Sequence, residues 1–165
     1  MRSISPWRGV SRHVLVDGVL GGLLSTAVLA WRGRVDDGRA AAALDAPSHW
    51  LWGREALRRD DVDGRHTLVG QAIHQASGLL WAGVYGWLQH RRHRRTTAAA
   101  VADAALVTAL AALVDLRLTP ERFTPGFERR LTDRSLWMVY GSFGVGLAVG
   151  GLFALRRSRP PRRWR

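Results

Sequence analysis

The sequence contains no cysteine, no lysine and no asparagine, and only six prolines in 165 residues. Without cysteine no disulfide staples a loop, and no thiolate serves as a metal ligand or nucleophile. Without lysine the whole positive charge, 25 residues against 13 acids, is arginine. Charge is also missing from long stretches, since residues 66–90 and 135–155 hold no Asp, Glu, Arg or Lys. Sequence signatures of enzymes are absent too: there is no nucleophile elbow, no phosphate-binding glycine loop and no His-Glu-x-x-His. The run Asp61-Val62-Asp63-Gly64 has the look of a calcium loop, but the first and last ligand positions would be Arg59 and Gly70, so that reading fails.

What is present is a formal charge of +12 and a mean hydropathy near zero. That average mixes two populations, long uncharged runs and short segments crowded with arginine. A basic DNA-binding protein does not confine its arginines to the ends of apolar runs, and basic patches alone give only sequence-independent attraction. Nucleic acid is therefore not expected as a partner. A helix needs about 20 apolar residues to cross the hydrocarbon core of a bilayer. Four stretches meet that length: 14–31, 67–89, 96–116 and 135–155. The first carries Asp17 and the third Asp103, with Asp115 at its end. An acid costs roughly 2.5–3.5 kcal/mol at a helix centre and less near the ends, so only Asp103 is heavily penalised.

The arginines orient these spans. The N-terminal segment, the 90–95 connection and the tail from 156 to 165 hold 13 Arg and no acid, whereas the connections 32–66 and 117–134 together hold 12 Arg against 11 acids, counting Asp115. By the positive-inside rule the acid-free face is cytoplasmic, both termini lie inside, and the two longer connections are outer loops. Arg91, Arg92, Arg94, Arg95, Arg156 and Arg157 are then placed to meet anionic lipid headgroups. A cleaved signal peptide ending near Val28-Leu29-Ala30 is the alternative for the first stretch, and Asp17 inside it argues against cleavage. The expected architecture is all-α, a single membrane domain over 1–165 forming an integral four-helix bundle.

At 100° per residue, Gln71, His74, Gln75, Gly78, Ala82, Tyr85 and Gln89 fall on one side of the second span, opposite Val69, Ile73, Leu80, Val84 and Trp87. The polar side must face protein. In the first span Asp17, Gly18, Gly21, Gly22 and Ser25 share a side, and the fourth is rich in glycine from Gly141 to Gly151. Small residues let helix backbones approach closely in lipid. Trp31, Trp50, Trp52, Trp87, Trp137 and Tyr140 lie near span ends, where amphipathic rings prefer the headgroup level. From Ser48 to Arg59 the composition predicts a short interfacial helix with Ser48 as its N-cap. The second outer loop is expected to be a short helix, a Pro-Gly turn and the cap of the last span.

His74 sits about 10 Å below the outer surface at 1.5 Å per residue, and intramembrane ionisable residues are functional candidates by default. The plainer reading is a hydrogen bond to a neighbouring helix. Asp17 and Asp103 share the cytoplasmic half, so one is expected to be protonated or paired with an arginine such as Arg12 or Arg95. His49, His66, His74 and Asp115 all lie on the outer side, but their spacing supports no metal site. Only His74 is deep enough for a haem, which needs two such histidines. No catalytic residue, metal or cofactor is assigned.

The words Ala46-Pro47-Ser48-His49-Trp50-Leu51-Trp52-Gly53, Arg65-His66-Thr67, His74, Leu118-Thr119-Pro120 and Thr124-Pro125-Gly126-Phe127-Glu128 resemble those of a group of small bacterial four-span inner-membrane proteins. The layout is also distantly similar to the YagU-type membrane proteins linked with acid tolerance. The resemblance implies no catalytic role and picks out Ser48, His49, Trp50, His66 and His74. The candidate polar residues are these five together with Gln71, Gln75, Asp103 and Asp115. The expected function is a non-enzymatic accessory or stress-related membrane component, partnered by lipid and by itself or another membrane protein. The alternatives are a homo-oligomeric proton or solute pathway along the polar side of the second span, and a metal-dependent activity on the outer face.

Overall fold

The computed structural model describes residues 6–92 and 96–157, with side chains from Val14 onward. Secondary structure among them is helical throughout. Helix α1 (Pro6–Asp36) is followed by the short α2 (Ala40–Asp45) and α3 (His49–Trp52), then by the long α4 (His66–Arg91), α5 (Thr97–Leu113) and α6 (Asp133–Arg157). Arg2, Arg94, Arg95 and the tail beyond Arg157 lie outside the described residues, as do the side chains of Arg8 and Arg12.

Local chemistry sets the ends of the long helices. Asp63 accepts the backbone N–H of His66 at the start of α4. The Thr96 hydroxyl caps α5 by accepting the Ala99 N–H at 3.1 Å. Before α6, Thr132 donates its backbone N–H and its hydroxyl to Asp36 at 2.9 and 3.0 Å, which ties the first turn of α6 to the end of α1. Helix α5 runs into a single π-helical turn, Val114–Leu118, closed by the Thr119 N–H on the Val114 carbonyl at 2.8 Å. Pro120 then prevents continuation.

Helix α1 packs against α4 and α6, and α5 packs against the same two helices. The buried side of α1 is Asp17, Gly18, Gly21, Gly22 and Ser25, while Val16, Val19 and Leu23 are exposed. A Cβ at Gly18 would stand 2.7 Å from Leu79 and one at Gly21 would stand 2.9 Å from the Phe143 ring. A Cβ at Gly146 would overlap the Gly21 backbone. The small residues therefore mark the places where helix axes come closest. Two apolar clusters fill the interior. One, at the loop end, contains Leu29, Phe127, Leu136 and Val139; the other, nearer Arg92 and Thr96, contains Tyr85, Val107, Phe143 and Leu147.

Three helices are long and apolar enough to cross a membrane: Val14–Asp36, Thr97–Leu118 and Asp133–Arg157. Sequence reading expects four. Helix α4 has the length, 26 residues, but its histidines and glutamines (His66, His74, His90, Gln71, Gln75 and Gln89) dilute its apolar character. The long helices carry large apolar side chains in the open: Leu68, Leu80, Leu106, Trp137 and Val145 are each more than half exposed. A surface of that kind suits hydrocarbon, not water.

The segment after α2 departs from a single helix over 48–59. It is broken into a 3-10 turn at Ala46–Ser48, the one-turn α3 and a second 3-10 stretch at Gly53–Arg58. Pro47 removes a backbone donor, and Gly53 adopts φ 65°, a conformation that glycine takes without steric penalty. Ser48 makes no capping bond, and its side chain is fully buried.

Candidate functional site

Between α4, the end of α5 and α6, beneath the loops, lies a cavity of about 230 Å³. Helix α4 contributes Ile73, His74, Ser77 and Leu80; α5 and its π turn contribute Ala111, Val114 and Asp115; α6 contributes Val139, Tyr140 and Phe143. Pro47 and Trp50 from the first loop and Phe123, Pro125 and Phe127 from the second close its end. The walls are apolar apart from a few groups. His74 Nε2 lies 2.8 Å from Ser25 Oγ, and that hydroxyl is already donated to the Gly22 carbonyl at 3.0 Å. With the Ser25 proton on the Gly22 carbonyl, Nε2–H donates to Ser25 and Nδ1 is left as an acceptor. Across the site the Tyr140 hydroxyl donates to Asp115 Oδ2 at 3.1 Å. The π turn sets the register that brings Asp115 to this wall, a common use of such turns.

Above the cavity the two loops hold each other. His49 donates Nδ1–H to the Ala46 carbonyl at 2.8 Å, and Trp50 donates Nε1–H to the Thr124 carbonyl at 2.8 Å. Arg122 returns a bond to the Trp50 carbonyl at 2.9 Å. Gly126, at φ 84°, allows the approach: a Cβ there would stand 2.7 Å from the Ala46 carbonyl and 2.8 Å from His49 Nδ1. Arg130 joins the loops again through Asp37, Asp60 and the Leu57 carbonyl. His66 is buried with Nδ1–H on Asp63 Oδ2 at 2.7 Å, and its Nε2 has no partner among the described residues.

The sequence-selected residues thus divide. His74 and Asp115 share the cavity, and Trp50 closes it. Gln71 accepts from Thr26 at 2.9 Å and Gln75 fills the space beside Gly22, so both serve the α1–α4 contact. Ser48, His49 and His66 belong to the loop packing. No group of three or more His, Asp or Glu among the described residues is arranged to hold a metal ion. Asp103 is 1% exposed at the other end of the molecule and accepts from Gln89 at 2.6 Å and from Arg92 in a two-pronged pair.

Asp103 has the arginine partner expected for one of the two acids, here Arg92, whose side chain remains 40% exposed. Two expectations need correction. Tyr140, expected as a boundary ring, is 8% exposed and bonded to Asp115. Trp50, read the same way, is a hydrogen-bonded part of the loop clasp. Arg91, by contrast, lies over the exposed Trp87 ring at 4.5 Å. Arg156 and Arg157 are exposed at the end of α6. Sequence reading missed the partnership of Ser25 and Tyr140 with His74 and Asp115, for which no local spacing gives a signal.

Asp45 supplies a pH handle outside the apolar spans. It is fully buried, and burial pushes its carboxyl above the usual value despite the Thr67 hydroxyl donated at 2.6 Å. A raised carboxyl favours the fold while protonated and opposes it as pH climbs through the shifted value. Asp45→Asn is therefore expected to melt higher than wild type at neutral pH and to match it near pH 4, measured by thermal unfolding in detergent.

Comparison with protein-family models, curated proteins and solved structures finds no match to this chain.

Proposed function

We propose that the chain is an integral inner-membrane protein of four crossings, with α1, α4, α5 and α6 as the bundle and both termini in the cytosol. In this reading it acts as a non-enzymatic accessory component of the membrane through helix and lipid contacts, in keeping with the four-span proteins its loop motifs resemble. The observation that carries the fourth crossing is the division of α4. Its Gly78, Ala82, Tyr85 and Gln89 are buried against the other helices, while Leu68, Leu80 and Trp87 face outward. A helix too polar to cross alone is stable in lipid when neighbours cover its polar side. The bond from His74 to Ser25 within the chain supports a packing role for that histidine rather than a place in a conduction path.

The absence of native cysteine makes the test clean. Single cysteines placed at Gly38, Val62 and Phe123 are expected to react with an impermeant maleimide added to intact cells, and one placed at Arg157 only after permeabilisation. Within α4, residues 80 and 87 should accept a lipid-phase label while 75 and 78 resist it. Labelling of Gly38 and Arg157 from the same side, or equal labelling around α4, rejects the four-crossing arrangement.

A further inference from the structure

The cavity beneath the loops has a chemical character that lipid packing does not require. At about 230 Å³ it exceeds the 150 Å³ space known to admit a benzene ring and falls short of the roughly 300–1,000 Å³ of pockets that enclose a whole drug-sized ligand. It has room for one substituted ring, not for a lipid. Its rings are concentrated: Trp50, Trp81, Phe123, Phe127, Tyr140 and Phe143 line it, including three of the four phenylalanines in the chain. Aromatic walls offer stacking and edge contacts to a flat guest. No arginine lines it, and Asp115 would repel an anion, so a phosphate headgroup is excluded.

Two of its acceptors stand on separate walls, beside the hydroxyls of Ser77 and Thr119. His74 presents Nδ1, because Nε2–H is held by Ser25. Asp115 presents Oδ1, because Oδ2 takes the Tyr140 hydroxyl. A matching guest brings two donors, one at each end of an apolar ring. The way in is from the side. Helices α4 and α5 are bonded to each other near the end of α4 and the start of α5, by Tyr85 to the Ala100 carbonyl and by Gln89 to Asp103. Towards the loops they face each other across the cavity, where Leu80 is 66% exposed. The loop clasp covers the end.

We propose that this cavity binds a membrane-dissolved amphiphile of the alkylated hydroquinone class, its two ring hydroxyls donating to His74 and Asp115 and its apolar tail leaving between α4 and α5. The inference rests on the membrane reading for the route of entry, but its test is independent of topology.

Purified full-length protein in lipid nanodiscs is titrated with an alkylated benzoquinol, followed by tryptophan fluorescence and by calorimetry. Saturable binding at one site per chain is expected, with no competition from an alkanol of the same chain length. Asp115→Asn should weaken it about tenfold, the scale of one lost hydrogen bond to a charged group. Ser77→Phe, which fills the cavity beside His74, should abolish binding while the protein still folds, checked by its melting transition. Absence of saturable binding by wild type, equal displacement by the alkanol, or full affinity in Ser77→Phe overturns the proposal. If Asp115→Asn does not fold, the alkanol competition and Ser77→Phe decide it alone. A negative result with the cysteine topology intact removes the ligand and leaves the membrane reading standing; a failed topology with saturable binding does the reverse.

Discussion

Gly146→Leu is expected to destroy the folded protein, whereas Gly141→Leu, one and a half turns earlier on the same helix, should be nearly silent. At Gly146 the position of a Cβ is already occupied by the Gly21 backbone, and a backbone cannot swing aside as the end of a flexible side chain can. Forcing bulk into a packed interior costs about 1–3 kcal/mol even where side chains can adjust. Here α1 and α6 would have to separate, and every contact between them would loosen. Gly141 is exposed and has nothing within 4 Å of its Cβ direction. Thermal unfolding and size exclusion in detergent check this. A similar melting temperature for the two variants would mean that α1 and α6 do not meet at these glycines.

The second large effect concerns Asp103. Arg92→Ala is expected to lower the melting temperature more than Asp103→Asn does, and the double variant should return close to Asp103→Asn. Asp103 is 1% exposed and receives Arg92 at both oxygens as well as Gln89. Removing the guanidinium leaves a carboxylate in an apolar interior with one neutral donor, and an uncompensated buried charge is the costly half of such a pair. Asparagine removes the charge and keeps a group that Gln89 can meet. Arg92→Lys should rescue only in part, since an ammonium cannot span both oxygens with parallel bonds. Additive losses in the cycle would mean that the two residues act separately.

The long helices were legible because hydrocarbon imposes a simple rule on sequence. Uncharged length gives the spans, and a 3.6-residue period puts Gly18, Gly22, Gly78 and Ala82 on inward faces, where they are buried. Periodicity carries no information about which polar group meets which. Arg92 lies in a basic cluster whose members look alike in sequence, yet it alone in the described part of that cluster reaches Asp103. Asp115 reads as a span-end acid; its place in a cavity depends on one π turn, and nothing in the segment Val114–Leu118 signals the extra residue. Ser48 has the composition of a helix cap, but Pro47 before it and Gly53 after it break the helix it would cap. The apolarity of α4 was overestimated because its lack of charge was read ahead of its six His and Gln residues.

The clasp between the two loops has a consequence for where this protein can work. Small loop caps in oxidising compartments are commonly locked by sulfur bridges, which tie their integrity to the electron balance of the compartment. Here the lock is an indole N–H on a carbonyl, a guanidinium across three acceptors and a glycine that lets the strands of the clasp touch. None of these bonds is altered by a reductant or an oxidising catalyst, so the cap closes without any foldase for thiols and stays shut when the redox state around it swings.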